Sequence, residues 1–172
     1  MSLAAAVLAA GTSSRMGRNK MLLELNGEPL VRRAVRTVLE AGFLEVTVVV
    51  GREPELIAAA LEGLPCRFAF NPDFATQGME ASLRTAVTNI PEDSSGLLFT
   101  LADQVFVTSS LLRTLIESRG GALVTASRFG DGDRATAPVL EGVVRGAGDT
   151  GERCETTDSK TPRARRVRGS TP

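Results

Sequence analysis

Residues 3–10 of this chain, reading Leu-Ala-Ala-Ala-Val-Leu-Ala-Ala, carry no polar side chain, and the run stops at a loop of small and basic residues. An apolar run of that length without alternation is a strand covered on both faces, the environment of a parallel sheet with helices above and below. Largely apolar runs recur at residues 46–50, 67–70, 97–102 and 122–126. Between them, residues 28–41, 53–61, 79–87 and 109–118 are amphipathic at helical spacing. In the first of these, Leu30, Ala34, Val38 and Ala41 share a face, with Arg32, Arg33 and Arg36 elsewhere on the turn. Pro54 suits the first turn of the second, and Thr108 or Ser109 suits the N-cap of the last. Strand and helix in alternation predict an α/β fold with a mostly parallel central sheet. Ligands of such a sheet bind outside the carboxyl ends of its strands.

That rule selects three segments. The first is Gly11, Thr12, Ser13, Ser14, Arg15, Met16, Gly17, Arg18, Asn19 and Lys20. Gly11 and Gly17 are expected to permit positive φ and a close approach of ligand to backbone. The three hydroxyls stand beside amide N–H groups that can nest around phosphate oxygens. Arg15 supplies a planar fork and Lys20 a point charge. The loop matches neither G-x-G-x-x-G nor the P-loop pattern. An ordinary strand with a serine-rich turn is the plain alternative. A secretory signal is disfavoured, since no basic residue precedes the run and charges follow at once. The second segment, residues 71–83, opens with Asn71-Pro72 and carries Gly78 and Ser82 where a glycine turn starts a helix; its first amides suit an anion or a ribose hydroxyl. The third is Leu101-Ala102-Asp103-Gln104. A carboxylate at a strand tip calls for a positive partner, and Mg²⁺ with substrate phosphates is one. The plain alternative for Asp103 is a cap on the helix beginning near Ser109.

Composition narrows the chemistry. A chain of 172 residues suits one domain with a real core. Net charge is zero, so no global field recruits nucleic acid or an anionic membrane. Seven Phe without Trp or Tyr make a poor stacking platform for single-stranded nucleic acid. Cys66 and Cys154 form neither a metal motif nor a disulfide framework and read as reduced thiols of a cytoplasmic protein. No apolar run is long enough to cross a bilayer. The chain has no histidine, which removes Ser-His-Asp and Cys-His hydrolases and imidazole-dependent zinc sites. Phosphoryl or nucleotidyl transfer fits what remains, because it rests on positioning and charge neutralisation.

Leu8-Ala9-Ala10-Gly11-Thr12-Ser13-Ser14-Arg15-Met16-Gly17 with Lys20, then Leu22-Leu23 and Gly27-Glu28-Pro29-Leu30, resembles the opening of the nucleotidyltransferases related to the molybdenum cofactor cytidylyltransferase. Asn71-Pro72, Gly78-Met79 with Ser82-Leu83, and Leu101-Ala102-Asp103-Gln104 are similar to the family's middle motifs in order and spacing, so the resemblance spans residues 3–129. It implies a Rossmann-like three-layer nucleotidyltransferase fold and transfer of a nucleoside monophosphate from an NTP with release of pyrophosphate. In the cofactor branch the acceptor is the terminal phosphate of molybdopterin, and a molybdoenzyme would receive the product. Carried over by position, Leu8, Ala9, Ala10, Gly11, Thr12, Ser13, Ser14, Arg15, Lys20, Asn71, Gly78 and Ser82 bind the nucleotide. Arg15, Lys20 and Asp103 are the implied catalytic residues, with Asp103 on Mg²⁺. The family opens with L-A-A-G in cytidylyl enzymes and L-A-G-G in guanylyl ones, so Ala10 favours CTP. A phosphate monoester, with a second pKa of about 6, attacks the α-phosphorus without a general base, which suits the missing histidine.

The chain departs from the family at two places. Val105 stands where proline is usual, which loses a fixed φ beside Asp103. After Phe129, only Pro138-Val139 and Gly148-Asp149 with Gly151 and Arg153 echo the family's R-G-H-P-V and G-D-x-G-A-R motifs, which makes Asp149 the candidate second metal ligand. The nucleotidyltransferase domain is therefore expected over residues 1–145. From residue 146 onward the apolar side chains are Ala147, Cys154, Ala164 and Val167, without period, so residues 146–172 are expected to be a disordered tail, truncated or frame-altered. The basic run Arg163, Arg165, Arg166 and Arg168 reads as solvated. Two other readings stand beside the cytidylyl one: a nucleotide-binding protein with lost or altered catalysis, and a transferase acting on another phosphorylated acceptor such as a sugar phosphate. Asn19 counts against the isoprenoid branch, which usually has proline before the loop lysine.

Overall fold

A computed structural model of the chain describes residues 2–11, 17–118, 124–126 and 142–144. Four of the apolar runs become the parallel strands β1 (Ser2–Ala9), β4 (Glu45–Val50), β5 (Arg67–Phe70) and β6 (Ser94–Leu101). β1 pairs with β4 on one side and β6 on the other, and β4 pairs with β5. Helices α1 (Leu30–Glu40), α2 (Pro54–Ala60), α3 (Gly78–Thr88) and α4 (Ser109–Ser118) fill the intervals, as the amphipathic stretches predict. The fifth run forms β7 (Val124–Ala126), which pairs antiparallel with β8 (Gly142–Val144); β8 in turn runs antiparallel to β6. The sheet order is β5-β4-β1-β6-β8-β7.

Alternation along the strands divides the core. Ala5, Val7 and Ala9 of β1 join Val48, Leu98, Val35, Ile57 and Leu112 on the face covered by α1, α2 and α4. Ala4, Ala6 and Leu8 join Val49, Leu97, Phe99 and Ala86 on the face covered by α3. Of the expected face of α1, Leu30, Val38 and, at the C-cap, Ala41 are buried; Val31 and Val35 join them, while Ala34 is only partly buried against that core.

The start of α1 also differs from the sequence reading. Glu24–Leu25 (β2) and Glu28–Pro29 (β3) form a small antiparallel hairpin, so residues 28 and 29 are not helical. Its two-residue loop is Asn26-Gly27, both at positive φ (56° and 79°), the preferred chemistry of a tight hairpin turn. At the other end of the chain order, Thr108 Oγ1 accepts from the Leu111 N–H, so threonine caps α4 and Asp103 is left for another role.

Register sets the site. Ala9 is level with Val50, Val50 with Phe70, and Leu8 with Leu101, so the chain leaves these four strands at one edge of the sheet. No helix among the described residues is long and apolar enough to cross a membrane.

Candidate functional site

A cleft of about 300 Å³ opens at that edge. Leu8, Ala10 and Gly11 line it from β1, Phe74, Gly78, Met79 and Ser82 from the β5–α3 segment, Leu101 and Asp103 from the end of β6, and Met21 from a short 3₁₀ turn. The three segments selected from sequence therefore converge on one cavity. Pleating sorts the end of β1 that feeds the first segment: Leu8 and Ala10 line the cleft, whereas Ala9, expected with them to bind nucleotide, belongs to the opposite core. Of the two loop glycines, Gly17 uses the positive φ that glycine permits, at 67°, and Gly11 does not. The space where a Gly11 side chain would stand is open.

Lys20 Nζ donates to Asp103 Oδ2 at 2.9 Å, a salt bridge between the exit of the first segment and the third. Lys20 begins the 3₁₀ turn Lys20–Leu22, which Asn19 caps by accepting the Met21 N–H at 3.1 Å. The loop carrying Asp103 closes on itself and on β1. Ala102 N–H bonds to Leu8 O, Gln104 N–H to Leu101 O and Val107 N–H to Gln104 O, so the turns form with valine at position 105.

Asn71 sits behind the cleft wall, 1% exposed. Its Nδ2 donates to Ser82 Oγ at 3.1 Å, and its Oδ1 accepts the Asp73 N–H at 3.0 Å. Asparagine there builds the turn that delivers Phe74 and orients Ser82. Gly78 opens α3 at φ 60°, and no side chain caps that helix end. The first amides of α3 are thus at the cleft beside Gly78 and Met79, the arrangement that receives an anion or a hydroxyl. Phe74 packs tightly over the backbone of Gly51, where an added Cβ would lie 2.5 Å from Phe74 Cγ.

Thr12, Ser13, Ser14, Arg15 and Asp149 lie outside the described residues, as do residues 146–172. Among the described residues no group of three or more His, Cys, Asp or Glu is placed to hold a metal. Among the described residues Asp103 is the carboxylate that lines the cleft, and Mg²⁺ is commonly held by one or two carboxylates with substrate phosphates and water completing the shell. Phe74, Met79 and Leu101 belong to the second and third selected segments, whereas sequence reasoning did not single out Met21 as cleft lining, nor Asn19 and Arg52 as supports. The last of these had a signal: Arg52 follows the carboxyl end of β4, where the same rule about strand ends applies.

A mostly parallel sheet between two helical layers, with a cleft at its carboxyl edge lined by an uncapped helix start and by an aspartate that a lysine holds, is a Rossmann-like nucleotidyltransferase fold. The chain belongs to the MobA-like NTP transferase domain family, whose model matches residues 5–160. A probable molybdenum cofactor guanylyltransferase from Opitutus terrae is 42% identical over 84 residues, 49% of this chain and 41% of that protein. A 3-deoxy-manno-octulosonate cytidylyltransferase from Methylococcus capsulatus is 33% identical over 101 residues, 59% of this chain and 38% of that protein. The chain thus spans less than half the length of either of these curated relatives. A nucleotidyl transferase from Methanothermobacter thermautotroptrophicus superposes with a TM-score of 0.69 at 28% identity, covering 84% of this chain and 71% of that one.

Proposed function

We propose that the cleft binds a nucleoside triphosphate and transfers its monophosphate to a phosphorylated small molecule, releasing pyrophosphate. The observation that carries this reading is the convergence of three strand-end segments on one cavity, lined by Asp103, to which Lys20 reaches at 2.9 Å. Lys20, with Arg15 from the preceding loop, neutralises charge gathering on the pyrophosphate leaving group; one such preorganised donor is worth about 10²–10³ in rate. The loop amides and hydroxyls of Thr12, Ser13 and Ser14 hold phosphate oxygens. Gly78 and Ser82 meet the nucleoside: with Asn71 donating to Ser82 Oγ, the hydroxyl has its own proton to offer a ribose oxygen. Asp103, with Asp149 as second carboxylate, would hold Mg²⁺, which supplies neutralisation across the phosphate oxygens.

The favoured donor is CTP and the favoured acceptor molybdopterin, with a molybdoenzyme receiving the product. Ala10 supports cytidylyl over guanylyl transfer. The partial match to a guanylyltransferase makes GTP the direct competitor, and the match to a sugar-acid cytidylyltransferase supports CTP with another acceptor. Pyrophosphate release is measured with CTP, GTP and ATP in turn, with molybdopterin and Mg²⁺ present. Release with CTP alone is expected. Release with GTP alone reassigns the donor, and CTP binding without turnover on any acceptor reassigns the chain as a nucleotide-binding protein.

A further inference from the structure

We infer that Asn19 and Arg52 are positioning residues that place Lys20 for contact with phosphate. Asn19 is a buried polar residue, 4% exposed, and both ends of its amide are used. Oδ1 caps the 3₁₀ turn through Met21 N–H, while Nδ2 donates to the backbone carbonyl of Arg52 at 3.1 Å. Arg52 returns the contact: its Nη2 donates to the carbonyl of Gly17 at 3.4 Å. Residues 17–19 are therefore fastened to the end of β4 from both directions, side chain to backbone each way. The anchor point is itself held: Glu53, beside Arg52 and ion-paired with it at 3.6 Å, adopts a left-handed backbone (φ 53°, ψ 54°) unusual for a residue other than glycine.

The consequence falls on Lys20, the next residue. A single 3₁₀ turn of three residues has too few hydrogen bonds to fix its own orientation. Met21 anchors the turn in the core, and Asn19 ties its start to the backbone of Arg52 in the segment that follows β4, so the direction of Lys20 depends on that tie as well as on packing. Asn19, Lys20 and Arg52 all stand outside the cleft lining, and of the three it is Lys20 that reaches a lining residue, Asp103; Asn19 and Arg52 therefore bear on the cleft through the lysine. The inference rests on the proposed role of Lys20 as a phosphate ligand.

The test is a set of double-mutant cycles read by calorimetric binding of inorganic pyrophosphate to the full chain, with thermal melts to verify folding. Asn19→Ser keeps an oxygen able to cap Met21 N–H but is too short to replace the amide N–H that reaches Arg52 O; Arg52→Ala removes the return contact from a partly exposed position. Each is expected to raise the pyrophosphate Kd by about tenfold, and by a factor of about one in a Lys20→Ala background, because residues acting through a common group do not add. An unchanged factor in the Lys20→Ala background would show a merely structural role and overturn the inference. So would wild-type binding by Asn19→Ser where Asn19→Ala is weakened, since the cap alone would then matter. If Asn19→Ser fails to fold, the Arg52→Ala cycle decides by the same criterion. Lys20→Ala binding pyrophosphate as well as wild type would instead remove the phosphate role of Lys20 itself, and with it the reading on which the inference rests.

Discussion

Lys20 Nζ stands 2.9 Å from Asp103 Oδ2 across a sequence separation of 83 residues, joining the exit of the first loop to the tip of β6. The lysine is 41% exposed and the aspartate 34%, so the pair contributes little to folding, on the scale of about 0–1 kcal/mol for exposed ion pairs. Its chemistry is the larger matter, because the same two groups are the ones a triphosphate and its cation would recruit. Lys20→Met is expected to leave the melting temperature near wild type while slowing pyrophosphate release by about 10²-fold or more. Asp103→Asn is expected to fold equally well and to lose metal-dependent turnover. Melts and turnover measured on both variants check this. A large loss of stability with unaffected turnover would reverse the assignment.

Gly51 owes its identity to Phe74. An alanine Cβ there would lie 2.5 Å from Cγ and 2.6 Å from Cβ of the ring side chain. The ring must move, and overpacking of this kind costs about 1–3 kcal/mol. Because Phe74 is also cleft wall, Gly51→Ala is expected to weaken nucleotide binding along with stability. In a Phe74→Ala background the same substitution should cost little, since nothing then occupies the space. Urea unfolding of the four proteins measures the coupling, and additive losses would show that the two residues do not compete.

The layered fold was legible because the central parallel strands are largely apolar blocks that two-sided burial explains, residues 46–50 being the plainest; β5, at the sheet edge, leaves Phe68 and Phe70 exposed and is not such a block. Sheet order was not legible, nor was β8, whose three residues are too few to show a period. The Asn26-Gly27 hairpin was in plain sight but was absorbed into a helical pattern, since Leu30 continues a helical spacing and hides the boundary two residues earlier. At the site, loops that follow strands were found by rule. What each polar side chain does there was not: Asn71 looked like a ligand-facing residue, yet its amide is turned inward to Ser82 and to the Asp73 N–H. Contacts between residues 33 apart, such as Asn19 to Arg52, leave no mark on local pattern.

Asn71 therefore predicts a stability effect first. Removing its amide leaves the buried Ser82 hydroxyl without its donor and the exposed Asp73 turn without its acceptor, a loss of about 1–3 kcal/mol for a buried group left unsatisfied. Asn71→Ala is expected to fall in that range by urea unfolding, with weaker nucleotide affinity because Phe74 and Ser82 both depend on the turn. Ser82→Ala should couple to it by about 0.5–3 kcal/mol in a double-mutant cycle. Strict additivity would mean that the 3.1 Å contact contributes nothing.

Glu28 predicts an acid-dependent stability. Arg36 grips both its oxygens, Nε on Oε1 and Nη2 on Oε2, each at 2.9 Å. That hydrogen bonding holds the Glu28 carboxyl below its ordinary range; partial burial opposes the shift, and the charges of Arg36, Arg33 and Arg32 reinforce it. A carboxyl whose pKa is lower folded than unfolded stabilises the fold fully above the unfolded value of about 4.3 and loses that contribution as pH falls through the lower folded value. Glu28→Gln is therefore expected to melt below wild type at pH 7, and the gap should narrow as pH drops under about 4. The hairpin of β2 and β3 is what this pair ties to α1, so its loss should loosen the entry to that helix first. Melting curves of both proteins from neutral pH downward check the sign: a gap that stays constant through the acid range would mean that the Glu28 carboxyl titrates alike in the folded and unfolded chain.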